Sequence, residues 1–202
     1  MFYYNQSIND NEKYKEESKD FSSILTEKSL KSRTIFISCE INQELAEKVC
    51  TKLLIREELS DEPIKIFINS QGGHVESADT IHDVIKFIKP KVIMIGTGWV
   101  ASAGITIYLA AEKENRYSLP NTRYMIHQPL GGFNGPATDI GIEAKEILRV
   151  RTRINNLISE ATNQPIEKVN KDTDRNYWLT STEALDYGLV TTIISKHSDL
   201  CD

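Results

Sequence analysis

Acyl transfer by a hydroxyl needs three things: a hydroxyl, a base that takes its proton, and donors for the oxyanion formed on the attacked carbonyl. The sequence offers a candidate for each. Ser102 lies in Gly98-Trp99-Val100-Ala101-Ser102-Ala103-Gly104, where small neighbours let a carbonyl approach the side chain. His127 ends an apolar run in Met125-Ile126-His127-Gln128-Pro129. A second glycine-rich turn, Gln71-Gly72-Gly73-His74, follows Ile64–Asn69. Helical patterns follow both turns, and helix N-termini carry free N–H groups and partial positive charge. Two such turns side by side can aim backbone donors at one developing negative charge. Each residue also has a plainer use. A serine at a strand–helix turn usually caps the helix, and a lone histidine at a strand end is usually structural. The turn is not Gly-x-Ser-x-Gly, so it does not signal an α/β-hydrolase elbow. The case strengthens because serine, histidine and glycine pair each end a predicted strand.

Other chemistries find little support. The 3 cysteines (Cys39, Cys50, Cys201) form no CxxC, and the 4 histidines (His74, His82, His127, His197) show no metal-ligand spacing. Free thiols in a reducing cytosol are expected. A net charge of −5 leaves no electrostatic footprint for nucleic acid. With 202 residues, 40% hydrophobic, the chain is predicted to be one domain with a modest extension. The segment from Met1 to Asp20 lacks the apolar run of a signal peptide. Val92 to Ala111 carries no charge and is long enough on paper to span a bilayer. Gly96, Gly98 and Gly104 interrupt it, so it reads as strand (Lys91–Thr97), turn (Gly98–Ser102) and buried helix (Ala103–Ala111). A cytoplasmic protein without a membrane partner follows.

The elements that must position these groups alternate between strand and helix. Residues 1–28 are polar and read as a mobile or loosely docked arm. Arg33–Ser38 reads as a strand, and Asn42–Glu58 as a helix with Leu45, Val49, Leu53 and Leu54 on one face. Ile64–Asn69 is the next strand. Ser77–Ile88 is a helix with Ile81, Val84, Ile85 and Ile88 inward, stopped by Pro90. Asn115–Leu119 and Arg123–His127 read as short strands. Pro136 opens a long helix over Ala137–Thr162, and Pro165 suits the first turn of a short one. Thr180-Ser181-Thr182-Glu183 is a capping box for a helix ended by Gly188, and Leu189–Ser195 is a last strand. Such alternation predicts an α/β domain with a largely parallel sheet.

In combination the motifs resemble the ClpP family, the proteolytic subunits of Clp ATP-dependent serine proteases. The resemblance runs from about Arg33 to Lys196. It rests on Ile68-Asn69-Ser70-Gln71-Gly72-Gly73, on Gly98 through Gly104, on Met125 through Gly132, and on Ala184 through Val190. It implies a ClpP/crotonase-type fold with a protruding handle helix, the handle covering about 131–162. Ser102 then resembles the nucleophile and His127 the general base, with the Gly73 and Ala103 amides as the oxyanion hole. The backbones around Gly72 and His74, and of Leu130, Gly131 and Gly132, would hold an extended peptide by strand addition. Asp174 and Arg175 match a pair that bridges two rings. The implied activity is ATP-dependent endopeptidase cleavage of unfolded polypeptide into short peptides. The implied assembly is two stacked heptameric rings, homomeric or mixed with a full-triad paralogue, fed by a Clp-type AAA+ ATPase. That partner uses the ATP; this chain needs no cofactor and no metal.

The sequence departs from the family at telling places. The third triad position, an aspartate in the family, falls on Asn176. Asparagine can accept the Nδ1–H bond, but it has no charge to stabilise an imidazolium. Weak activity alone is therefore expected, with Asp172 and Asp174 as candidate substitute orienting groups. Gln71 stands where the family usually has proline, which loosens the oxyanion turn. The arm lacks the family's apolar start, while Phe67 and Tyr117 match aromatic positions of its ATPase-docking cleft. A structural or regulatory subunit with little activity is the alternative. A crotonase-type acyl-CoA enzyme needs no Ser/His pair and usually places carboxylates at its site. A serine–lysine signal-peptide peptidase needs a membrane setting. The motifs speak against both.

Overall fold

The structure is a computed structural model that describes residues 23–200. The chain divides into Met1–Thr34 and Ile35–Asp202. In the first unit, helix α1 is described over 23–31. Most of the expected arm therefore lies outside the described residues, and its last part is helical.

The second unit carries the sheet. Its order is β1 (Thr34–Ile37), β2 (Ile64–Ser70), β3 (Val92–Ala101), β4 (Arg116–Ser118) and β7 (Thr192–Ile193). Strand β5 (Arg123–Ile126) joins the far end of β3, and β6 (Tyr177–Thr180) joins β5. The pairings of β2 with β3, β3 with β4 and β5, and β4 with β7 are parallel; β5–β6 is antiparallel. Parallel neighbours need crossovers, and helices α2 (Gln43–Leu59) and α3 (Val75–Phe87) supply the first two. Strand β2 alternates, with Ile64, Ile66 and Ile68 fully buried in the main core against Ala46, Val49, Leu53, Ile81 and Ile85. Each such isoleucine contributes roughly 1.5–3 kcal/mol by leaving water. Asn42 caps α2 by accepting from the Leu45 amide. Leu54, expected inward, is 45% exposed; Ala46 and Arg56 take the inner face instead.

The long uncharged segment is arranged differently from the reading above. No turn breaks it at Gly98, because β3 runs on to Ala101. The strand bulges instead: Ile68 pairs with Gly96, yet Ser70 pairs with Val100. Gly98 has φ +60°, and a Cβ there would lie 2.5 Å from Asn69 Oδ1. That same oxygen accepts from the Trp99 amide at 3.3 Å. Past the bulge, β3 leaves β4 and pairs with β5. Helix α4 is shorter than expected, Ala103–Tyr108, and wholly buried.

Helix α5 (Ala137–Thr162) follows Pro136 as predicted. Its residues from 137 to 146 are all exposed, while Asn155, Ile158 and Thr162 are buried at the other end. Of its apolar residues, Ile140 and Leu148 therefore face solvent in the single chain. Helix α6 (Ile166–Asp172) begins after Pro165, and α7 (Ser181–Tyr187) has the full Thr180/Glu183 capping box and ends at Gly188. The last strand shrinks to Thr192–Ile193, because the Leu189 and Val190 amides donate back to Ala184 O and extend the helix end. No helix of the described residues is long and apolar enough to cross a membrane.

Candidate active site

Strand β3 delivers Ser102 to a sharp strand-to-helix corner. The residue has φ +55° and ψ −125°, a left-handed conformation rare for anything but glycine. Its amide donates to Met125 O at 2.9 Å and its carbonyl accepts from the Ile105 amide at 2.9 Å, so both strand and helix hold the corner. The side chain does not cap α4. The hydroxyl is thus left free to meet the imidazole. His127, one residue past β5, places Nε2 2.7 Å from Ser102 Oγ. Its Nδ1 lies 3.1 Å from Asn176 Oδ1. An Nδ1–H donated to that carbonyl leaves Nε2 as the acceptor for the serine proton.

Asn176 is brought there by β6, a strand not among those expected from the sequence. Tyr-Trp-Leu-Thr is rich in β-formers, the signal that would have found it. Its register sets Tyr177 opposite Ile126, so the residues beside each strand end meet. Further hydrogen bonds tie the loop. Gln128 N–H donates to Thr173 O at 2.6 Å, and Gln128 Nε2 to Asp174 O at 2.7 Å. Thr173 Oγ1 donates to Val169 O at 2.8 Å and approaches Oδ1 of fully buried Asn155 at 3.1 Å. The sequence reading singled out neither Asn155 nor Thr173.

Neither substitute carboxylate bonds to His127. Asp172 Oδ2 pairs with Lys168 Nζ at 2.6 Å and accepts from Tyr187 Oη at 2.9 Å. Burial and that carboxylate push the Tyr187 hydroxyl well above the usual tyrosine range. Asp174 Oδ1 lies 3.4 Å from Arg151, and its carbonyl accepts from Arg175, whose side chain is largely exposed. Asn176 is the residue in third place.

The two glycine turns do meet. Gly72 has φ +98°, and a Cβ there would lie 2.7 Å from Ser102 Cβ and 3.0 Å from the Ala103 nitrogen. Gly73 has φ +146° and forms a parallel bridge with Ile41. Ile41 N–H donates to Gly72 O at 2.9 Å, and His74 N–H donates to Ile41 O at 2.8 Å. In a parallel bridge of this kind the N–H of the central residue points away from its partner. The Gly73 and Ala103 amides therefore belong to two turns packed edge to edge beside Ser102. His74 caps no amide with its side chain; its Nδ1 lies 2.9 Å from Ser77 Oγ. Beside the Ser/His pair is a shallow crevice of only about 20 Å³, lined in part by Val75, Ile105, Ile126, Pro129 and Ile154. Leu130, Gly131 and Gly132 form no strand here. Leu130 is 84% exposed, and a Cβ at Gly131 would meet the flexible Ile147 side chain at 2.7 Å.

A family model described as Clp protease matches residues 16–197. The chain belongs to the Clp protease family. Among curated relatives, the "ATP-dependent Clp protease proteolytic subunit 3" of Rhizobium etli is 59% identical over 84% of this chain and 88% of its own length. "ATP-dependent Clp protease proteolytic subunit 2" of Pseudomonas aeruginosa is 51% identical over 87% and 88%. Among solved structures, ClpP1 from Listeria monocytogenes matches with a TM-score of 0.81 and 63% identity, covering 88% of this chain and 99% of that one. An asparagine-to-aspartate mutant of the same ClpP1 matches with a TM-score of 0.82 and 64% identity, covering 86% and 98%. The ClpP-type α/β fold expected from the motifs is thus the fold found.

Proposed function

We propose that this chain is a serine endopeptidase subunit of a Clp-type compartmental protease, with Ser102 as nucleophile and His127 as general base. The observation that carries this reading is the 2.7 Å approach of His127 Nε2 to Ser102 Oγ, with Nδ1 facing Asn176 Oδ1 at 3.1 Å. Ser102 Oγ attacks the peptide carbonyl while its proton passes to Nε2. The carbonyl electrons move onto oxygen, and the Gly73 and Ala103 amides stabilise that charge. The imidazolium then gives its proton to the leaving amine, the C–N bond breaks and an acyl-serine remains. Water, deprotonated by Nε2, repeats the sequence and releases the acid. Asn176 holds the productive tautomer but adds no negative charge, so turnover of this chain alone is low.

A polypeptide reaches such a site unfolded, with an AAA+ ATPase partner spending the ATP. The relatives named as ATP-dependent subunits support that partnership. Exposed Ile140, Ile142 and Leu148 on α5 support burial of the handle against another subunit in stacked heptameric rings. Asp174 and Arg175, close to Asn176, are the proposed contacts between rings. A structural or regulatory subunit of a mixed particle is the second reading, favoured by the missing charge at Asn176.

The test is a fluorogenic peptide assay on the chain alone and mixed with a full-triad paralogue. Wild type is expected to exceed Ser102→Ala in one or both settings. A fluorophosphonate probe is expected to label Ser102. Equal rates for the two chains, with no labelling in the assembled particle, would replace the peptidase reading by the structural one.

A further inference from the structure

We propose that Ser70 is the positioning residue of the oxyanion turn: its buried hydroxyl locks Gly72–Gly73 against the Ser102 corner. The inference deepens the peptidase reading and rests on it for its kinetic consequence. Ser70 is the last residue of β2 and is 0% exposed. Its Oγ donates to Cys39 O at 2.6 Å and accepts from the Gly72 N–H at 3.2 Å. One hydroxyl thus joins the segment ahead of Ile41 to the turn that Ile41 pairs with on both sides of Gly73. In the sheet Ser70 lies opposite Val100, two residues before the nucleophile. Its carbonyl and Cβ would stand 3.4 and 3.8 Å from a Cβ at Gly104, ordinary contact with the start of α4. Ser70 is therefore the side chain packed between the two turns that present the Gly73 and Ala103 amides.

The turn needs such a lock. Gly72 and Gly73 both have positive φ, conformations that glycine reaches freely and leaves as freely. Gln71 between them and Ser70 is exposed and has no ring to fix its own φ. Backbone donors stabilise an oxyanion only when held before the charge develops, since reorganising them during the reaction forfeits the gain. Alanine at 70 would leave two groups, Gly72 N–H and Cys39 C=O, without their shared partner.

The experiment compares wild type, Ser70→Ala and Ser70→Cys as full chains in the assembled particle. Cysteine keeps the shape and supplies only a weak donor, so it remains informative if alanine fails to fold. Hydrogen–deuterium exchange of peptides covering residues 69–75 reads the lock directly and needs no activity. Exchange is expected to rise about tenfold or more in Ser70→Ala, with Ser70→Cys between. For a fluorogenic peptide, kcat is expected to fall about 10- to 100-fold with KM within twofold, the mark of an interaction made in the transition state. Unchanged exchange, or a rise in KM at constant kcat, would overturn the proposal. Faster exchange in Ser70→Ala, with a wild type that cleaves no peptide, would leave the lock standing and remove the peptidase reading instead.

Discussion

Replacing Asn176 by aspartate is expected to raise kcat/KM for a small fluorogenic peptide by about 10- to 100-fold. The Nδ1···Oδ1 separation of 3.1 Å would then carry a full charge facing the imidazolium formed in the transition state. At an effective dielectric near 20, that pair is worth about 5 kcal/mol before screening. Asn176 is exposed, so water and salt take up much of the field, and exposed ion pairs retain about 1 kcal/mol or less. His127 and Ser102 are half-buried, which puts the site between these limits. A gain of about 1.4–2.8 kcal/mol in the barrier gives the stated range. In buried triads the reverse exchange costs about 10⁴, a ceiling this exposed site does not reach. The assay compares the variant with wild type in the assembled state, using Ser102→Ala in each background as the blank. No increase, in particles shown intact by size, would refute the claim that the missing charge limits turnover.

Gly72→Ala should cost about 10² or more in kcat, because its Cβ would collide with Ala101 O and Ser102 Cβ at 2.7 Å in a backbone with φ +98°; steady-state kinetics beside a melting curve checks it. Gly96→Ala should lower stability by about 1–3 kcal/mol, since the new methyl meets the Tyr124 hydroxyl in the core; urea unfolding reads the change. Stability should also fall with alkali. Burial pushes the Tyr124 hydroxyl up to about 12 and, with Asp172, pushes Tyr187 up as well. The native state then holds protons that the unfolded chain releases near pH 10, so the stabilisation is intact below that pH and is lost as pH rises beyond it. Tyr187→Phe should shallow the fall in Tm between pH 9 and 11, and an unchanged slope would assign the effect elsewhere.

Legibility followed the range of the interactions. Boundaries set by a local signal were readable: Pro136 ahead of Ala137–Thr162, the Thr180/Glu183 capping box, and Gly188 at the end of α7. Each depends on hydrogen bonds or φ restrictions within a few residues. The inward positions Ile81 and Ile85 of α3 were readable as well, because burial imposes its period on the side chains. The misreadings share one cause. Gly98 marks a bulge and not a turn, because Asn69 on a neighbouring strand accepts the Trp99 amide. Strand β6 exists because β5 lies alongside it, and Leu189–Val190 begin no strand because Ala184 O claims their amides.

Residue types and order alone determined which chemistry was on offer: a hydroxyl, an imidazole, two glycine turns, and an amide where a carboxylate would carry charge. Tertiary structure decided that Asn176, and neither Asp172 nor Asp174, faces His127. It also decided that the one Ser70 hydroxyl joins Cys39 O to the Gly72 amide. Those choices depend on distances between groups tens of residues apart in the chain. Only the packed sheet sets such distances, because each donor and acceptor there has several partners in reach and the fold selects one.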